Sequence, residues 1–279
     1  MAVDFSKKAH VIVVHGVQGG TDKEVIGVPQ IKKLIEKSLA QSHITRDFDV
    51  IGYFYEDIND QAQEFYQKIG GALLKGKPLA GVALKYVIDY AGDVVTSAAQ
   101  TSTAGKILNG LTKKILESYE AGHQVVVVSH SLGTVYSLDA VNALIAHPGA
   151  FNGDDRDSWP VQGLITMGSP LGLDIDLQAI RVFDKRPIRV IQKSKFEVFP
   201  WFNFYNRLDP IVSGNLFGRP VEIKGSKGPV ENRYGLDMNN ARWMLQGRSV
   251  TSGDQWVAAH SCYWKNAKIG DQIIQMLWG

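Results

Sequence analysis

A serine stands between a buried-strand pattern and a helical pattern near the middle of the chain. Residues 125–128 are four consecutive valines, which predict a strand buried on both faces. Ser129-His130-Ser131-Leu132-Gly133 follows directly. Apolar residues then recur at helical spacing, at Leu132, Val135, Leu138 and Val141. A strand that turns straight into a helix at a serine, with small residues two positions to either side, is typical of a nucleophile elbow.

The shape of such a corner serves nucleophilic chemistry. It forces the serine into a strained backbone conformation and pushes the hydroxyl clear of the sheet. The helix that follows directs its free N–H groups and partial positive charge at the reaction centre. We therefore take Ser131 as a candidate nucleophile.

A serine nucleophile needs a general base, usually oriented by an acid. In an open parallel sheet, groups that act together lie at the carboxyl ends of the strands. His260 follows a short apolar run and precedes the last helical pattern, and Asp209 follows the aromatic segment Phe199–Asn206 in a turn closed by Pro210. We take His260 as the candidate base and Asp209 as the candidate acid. Three other aspartates remain alternatives for the acid: Asp174, Asp176 and Asp184.

Alternating strand and helix patterns run through the chain and predict an α/β fold, with a mostly parallel central sheet flanked by helices. Strands are predicted at 10–15, 49–55, 125–128, 163–170, 199–206 and 220–224. Helices are predicted at 30–41, 104–120, 265–277, after Ser131 and, as a single turn, at 240–245. No linker divides the chain, so one domain is expected over residues 1–279. Residues 58–103 are expected to be a helical insertion, and could form a cap, a dimer surface or plain core covering.

The motifs resemble those of the α/β-hydrolase superfamily, in its lipase- and esterase-like part. The resemblance rests on Val13-Val14-His15-Gly16, on residues 129–133, on Asn206–Pro210 and on His260–Trp264. It departs from the family pattern at Ser129, where the elbow usually has glycine. The resemblance implies a serine hydrolase that cleaves carboxylic esters.

The site residues implied by the resemblance follow the family's chain order of serine, acid and histidine. Ser131 is the nucleophile, Asp209 the acid and His260 the base. The backbone N–H groups of Val17 and Leu132 form the oxyanion hole. An acyltransferase or thioesterase with the same triad, and a non-catalytic binding module, are the alternative functions.

Several neighbouring residues have structural interpretations. His15 and His130 are expected to be structural, and the aromatic residues of the 199–206 strand are expected to lie in the core. Tyr263 and Trp264 are expected at the pocket rim. Gly16 is expected to matter because a side chain there would block close approach to the site.

Composition limits the remaining possibilities. The formal net charge is +2, from 30 basic and 28 acidic residues, which does not indicate a nucleic-acid partner. Cys262 is the single cysteine, and Asp174-Ile175-Asp176 is expected to be a solvated turn, so neither a metal nor a cofactor is expected. The amino terminus has no signal-peptide pattern, and no run reaches the roughly 18 apolar residues of a membrane span. We expect a cytoplasmic protein with a small-molecule ester or lipid substrate.

Overall fold

The structure is a computed structural model that describes residues 3–16, 27–55, 102–146, 158–169, 174–175, 180–181, 199–206, 209, 245–250 and 257–279. Within these ranges the strands are β1 (Ala9–Val14), β2 (Phe48–Tyr53), β3 (Val125–His130), β4 (Gly163–Met167), β5 (Asp174–Ile175), β6 (Ile180–Arg181), β7 (Trp201–Tyr205) and β8 (Leu245–Ser249). The helices are α1 (Val28–Gln41), α2 (Ser102–Glu120), α3 (Gly133–Ala146), α4 (Val257–Ser261) and α5 (Ala267–Trp278). A 3₁₀ turn over Cys262–Lys265 joins α4 to α5. No helix in the described part of the chain is both long and apolar enough to span a membrane.

In the described part of the chain, six strands form one sheet in the order β2-β1-β3-β4-β7-β8. Every neighbouring pair in this sheet runs parallel. The carboxyl ends of all six strands therefore lie at one edge, where parallel sheets hold their functional groups. The predicted α/β class, with a parallel central sheet flanked by helices, is confirmed. A separate antiparallel pair joins β5 to β6.

The sheet is buried on both faces. Alternate valines of β3 point to opposite sides: Val125 and Val127 pack with residues of α2 and α3, whereas Val126 and Val128 pack with residues of α1 and α5. This alternation explains the run of four valines, because a central strand covered on both faces has no position that favours a polar side chain. The predicted burial of this strand is confirmed.

Two predicted elements differ from the structure. Leu245 was expected in a helical turn, but it begins β8, the edge strand beside β7. The sequence Leu-Gln-Gly-Arg-Ser of β8 has no alternating apolar pattern, and its strand conformation comes from pairing with β7. The last helix begins at Ala267 rather than Lys265, because the Asn266 side chain accepts a hydrogen bond from the Lys268 N–H at 3.0 Å and caps the helix there.

Some predictions fall on other parts of the chain. The predicted strand at 220–224 and nearly all of the 58–103 insertion lie outside the described residues. Residues 102 and 103 belong to α2, which was predicted to begin at 104. The single-domain assignment stays a prediction.

Candidate active site

Ser131 occupies a strained corner between β3 and α3. Its φ of 52° lies in the left-handed region, which costs a residue with a side chain about 1–2 kcal/mol. Hydrogen bonds hold the corner in place. The Ser131 N–H donates to the Met167 carbonyl at 2.9 Å. Its carbonyl accepts from the N–H of Thr134 at 3.0 Å and from the Thr134 hydroxyl at 2.7 Å. The predicted strand–turn–helix corner is confirmed.

Glycines allow the backbone to pack closely around this serine. A Cβ at Gly16 would lie 2.6 Å from the Ser131 Cβ. A Cβ at Gly133 would lie 2.7 Å from the Val14 carbonyl oxygen, so only glycine lets α3 begin this close to the end of β1. The expectation that residue type matters at Gly16 is therefore supported. At the other flank, Ser129 is fully buried and donates its hydroxyl to the Ile165 carbonyl at 3.2 Å.

The start of α3 leaves a backbone donor next to the serine. Among the described residues, no group accepts a hydrogen bond from the Leu132 N–H. This N–H lies at the amino-terminal end of a 14-residue helix, where the helix dipole favours negative charge. Val17, the other expected oxyanion donor, lies outside the described residues.

Asp209 and His260 are hydrogen-bonded to each other. The His260 Nδ1 lies 2.9 Å from Asp209 Oδ2, and the Asp209 side chain is fully buried. The Asp209 N–H donates to the Asn206 carbonyl at 3.0 Å, which ties Asp209 to the residue that follows β7. The carboxylate can only accept here, so His260 carries a proton on Nδ1 and its Nε2 is the basic nitrogen when the ring is neutral.

The rival aspartates do not share this position in the described part of the chain. Asp174 belongs to the β5–β6 pair, and Asp176 and Asp184 lie outside the described residues. His260 itself lies in the short helix α4.

The end of β4 connects the serine to the Asp209–His260 pair. The Met167 carbonyl accepts from Ser131, and the next residue, Gly168, has a φ of 56°. A Cβ on Gly168 would lie 3.1 Å from both Asp209 Oδ2 and His260 Cε1. The three predicted residues therefore surround one strand end. No hydrogen bond joins the Ser131 hydroxyl to His260 among the described residues, so that contact requires the two side chains to approach further.

His130, at the end of β3, connects α4 to the corner at Ser131. Its Nε2 lies 2.7 Å from the His260 carbonyl oxygen and its ring lies 4.5 Å from the His260 ring, measured between centroids. Because a carbonyl only accepts, Nε2 carries the proton of the neutral ring. Burial, reinforced by the nearby His260, lowers the pKa of His130 to about 3. This arrangement supports the expected structural role of His130.

His15 is held in the same way at the end of β1. Its Nδ1 contacts the Gly16 carbonyl, and its Nε2 accepts from the Tyr55 N–H at 3.4 Å. The ring stacks on the Tyr55 ring at a centroid distance of 4.3 Å. Burial lowers the pKa of His15 to about 4. Both ring nitrogens thus have partners that suit only the neutral ring, which agrees with the expected structural role.

Tyr263 has a role that the sequence interpretation missed. It was expected at the pocket rim, but the structure buries it completely. Its hydroxyl donates to Asp209 Oδ2 at 2.7 Å and accepts from the Asn206 N–H at 3.0 Å. Burial, together with the Asp209 charge, raises the pKa of Tyr263 well above its ordinary value. The signal was its position three residues after His260, which places both side chains on one side of a helical turn.

The described residues contain no cluster of three or more His, Cys, Asp or Glu side chains that could hold a metal ion. The described groups at this corner are a hydroxyl, an imidazole paired with a carboxylate, and a backbone N–H.

Compared with known proteins, the chain matches no family model and no curated protein sequence. Several solved structures have a similar backbone trace. A protein described as an α/β-superfamily hydrolase from Xanthomonas campestris pv. campestris is 13% identical, with a TM-score of 0.46 over 96% of this chain and 99% of that one. A structure of the metagenome-derived lipolytic enzymes LipS and LipT is 9% identical, with a TM-score of 0.41 over 97% and 93%. A cutinase-like protein from Cryptococcus sp. is 10% identical, with a TM-score of 0.38 over 98% and 96%.

Proposed function

We propose that this chain has the α/β-hydrolase fold and is a serine hydrolase that cleaves carboxylic esters through an acyl-enzyme. One observation carries the proposal: a strained serine at the start of a helix lies at the same strand end as a buried aspartate hydrogen-bonded to a histidine. The chain order Ser131, Asp209, His260 is that of this class of enzyme.

In the proposed first step, the Ser131 hydroxyl attacks the ester carbonyl. His260 accepts the serine proton on Nε2 and passes it to the leaving alcohol. Asp209, 2.9 Å from Nδ1, fixes the tautomer of the ring and stabilises the imidazolium. The contact between Ser131 and His260 would form when substrate binds, because catalytic hydrogen bonds often tighten only in the substrate complex.

The developing oxyanion would be bound by backbone N–H groups. The N–H of Leu132 is the proposed first donor, and that of Val17 is the proposed second donor. One such donor contributes about 3–4 kcal/mol to transition-state stabilisation in comparable sites. Water activated by His260 then releases the acyl group and restores Ser131.

We further propose an ester with a hydrophobic acyl group as the substrate class. The segment from 58 to 103 has a high content of apolar and aromatic residues for a surface insertion. Rates on p-nitrophenyl esters of increasing chain length would test this part of the proposal. The expected result is a preference for medium or long chains over acetate, and a preference for acetate would contradict it.

The test of the activity compares p-nitrophenyl ester hydrolysis by the wild type with that by Ser131→Ala. Loss of the nucleophile is expected to lower kcat by at least about 10⁴-fold. Ser118→Ala is the matched control, because Ser118 is a buried serine on α2 whose hydroxyl lies 3.0 Å from His10 Nδ1, at the amino end of β1. An unchanged rate in Ser131→Ala would sink the proposal.

A further inference from the structure

We propose that Tyr263 is a positioning residue for the acid of this hydrolase. Its phenol holds the Asp209 carboxylate in line with His260 and reduces the stabilisation that this carboxylate gives to the His260 imidazolium. The inference rests on the proposed function and adds Tyr263 to the residues that support the Asp209–His260 pair.

The geometry places two donors on one carboxylate oxygen. Asp209 Oδ2 lies 2.9 Å from His260 Nδ1 and 2.7 Å from the Tyr263 hydroxyl. The hydroxyl also accepts from the Asn206 N–H at 3.0 Å, so its own proton must point at the carboxylate. The Asp209 N–H donates to the Asn206 carbonyl, which closes a small ring of contacts around the acid.

The phenol bonds the carboxylate in the interior of the protein. Asp209 and Tyr263 are both fully buried, whereas the His260 side chain is 21% exposed. Free rotation of the carboxylate about χ2 would move the oxygen that His260 needs. The phenol removes that freedom because it bonds the same oxygen from a second direction.

The phenol can act as a donor throughout the working pH range. Burial raises its pKa well above the ordinary value, so it stays protonated in neutral and mildly alkaline solution. The other described titratable groups around His260 are Asp209, which follows β7, and His130 at the end of β3, whose ring stays neutral. Cys262, next to Tyr263, accepts a weak bond from the Asn206 side chain at 3.5 Å.

A hydrogen bond to a carboxylate withdraws part of its negative charge. With the phenol in place, Asp209 stabilises the His260 imidazolium less than a free carboxylate would. Removing the hydroxyl should therefore make His260 harder to deprotonate and should also loosen the alignment of the pair. The change at His260 should shift the pH profile of kcat/KM, whereas the looser alignment of the pair should lower kcat.

The experiment measures the pH dependence of kcat/KM for p-nitrophenyl ester hydrolysis by Tyr263→Phe between pH 5 and 9. The expected result is a kcat about tenfold lower and an ascending limb displaced by about one unit towards higher pH. Tyr119→Phe is the control, because Tyr119 donates its hydroxyl to the Ser158 carbonyl at 2.7 Å at the amino end of the sheet. Its limb is expected to coincide with that of the wild type.

A second variant keeps the inference testable if Tyr263→Phe does not fold. Site-specific 3-fluorotyrosine at position 263 preserves the ring volume and makes the phenol a stronger donor. The ascending limb is then expected to move towards lower pH. If the wild type is active and the ascending limb of neither variant differs from that of the wild type, the inference is overturned and the proposed function stands. A wild type inert to every ester would overturn the proposed function and this inference with it.

Discussion

Two buried neutral histidines should make the fold sensitive to mild acid. His15 is 1% exposed and His130 is 8% exposed. Burial is the main reason that the pKa of His15 falls to about 4 and that of His130 to about 3. The partners explain why charging is unfavourable: a proton on His15 Nε2 would face the Tyr55 N–H, which is itself a donor.

The sign and size of the effect follow from proton linkage. In the unfolded chain, both rings bind a proton near pH 6.5, whereas in the folded chain they stay neutral to about pH 4 and pH 3. Between those limits the unfolded state binds more protons, so the free energy of unfolding falls as the pH falls. Each ring loses about 1.4 kcal/mol per unit below pH 6.5, which gives about 2 kcal/mol per ring, or about 4 kcal/mol together, on going from pH 7.5 to pH 5.

The assay is urea denaturation followed by circular dichroism at pH 7.5, 6.5 and 5.0 and constant ionic strength. His130→Gln replaces the ring with an amide that can still donate to the His260 carbonyl but cannot ionise. Between pH 7.5 and pH 5 it should lose about 2 kcal/mol less free energy of unfolding than the wild type loses. His43→Asn is the control, because His43 is exposed and its φ of 54° suits asparagine. A wild type that loses less than about 1 kcal/mol at pH 5, or a His130→Gln variant that loses as much as the wild type, would refute the reasoning.

Three substitutions at the site give further predictions. Ser131→Gly should unfold with a free energy about 1 kcal/mol higher than Ser131→Ala in urea, because a φ of 52° is strained for any side chain; equal values would contradict this. Gly168→Ala should lower the free energy of unfolding by about 1–3 kcal/mol and slow ester hydrolysis. The reason is that its Cβ would lie 2.9 Å from the Tyr263 ring at a φ of 56°. An unchanged rate and an unchanged stability would contradict this prediction. Asp209→Asn should lower kcat by about 10⁴-fold with the fold retained, as judged by circular dichroism, and a rate within tenfold of the wild type would remove Asp209 from the mechanism.

The central part of the fold could be predicted because its local patterns agree with its burial. The valines of β3 are enclosed on both faces, and the change to helical spacing after Ser131 coincides with the start of α3. Strand-end placement likewise put Asp209 and His260 at the edge where the structure brings them together. These features depend on neighbours close in the chain or on a general rule of parallel sheets.

The features that were missed depend on contacts distant in the chain. The strand β8 has a polar sequence, and only its partner β7 makes it a strand. Tyr263 was assigned to the rim because it lies close to His260 in the sequence. Its burial is decided by Asp209 and Asn206, more than 50 residues away in the sequence. The spacing from His260 could place Tyr263 on the same side of a helical turn, but it could not show that Asp209 and Asn206 lie against its hydroxyl.

The central claim is that Ser131 is the nucleophile, and covalent mapping tests it most directly. The folded wild-type protein would be treated with a fluorophosphonate, digested and analysed by peptide mass spectrometry. The account predicts a single adduct on Ser131 that forms at least about 100-fold more slowly in His260→Ala. An adduct on the neighbouring Ser129 or Ser169, or no adduct on the folded protein, would contradict it.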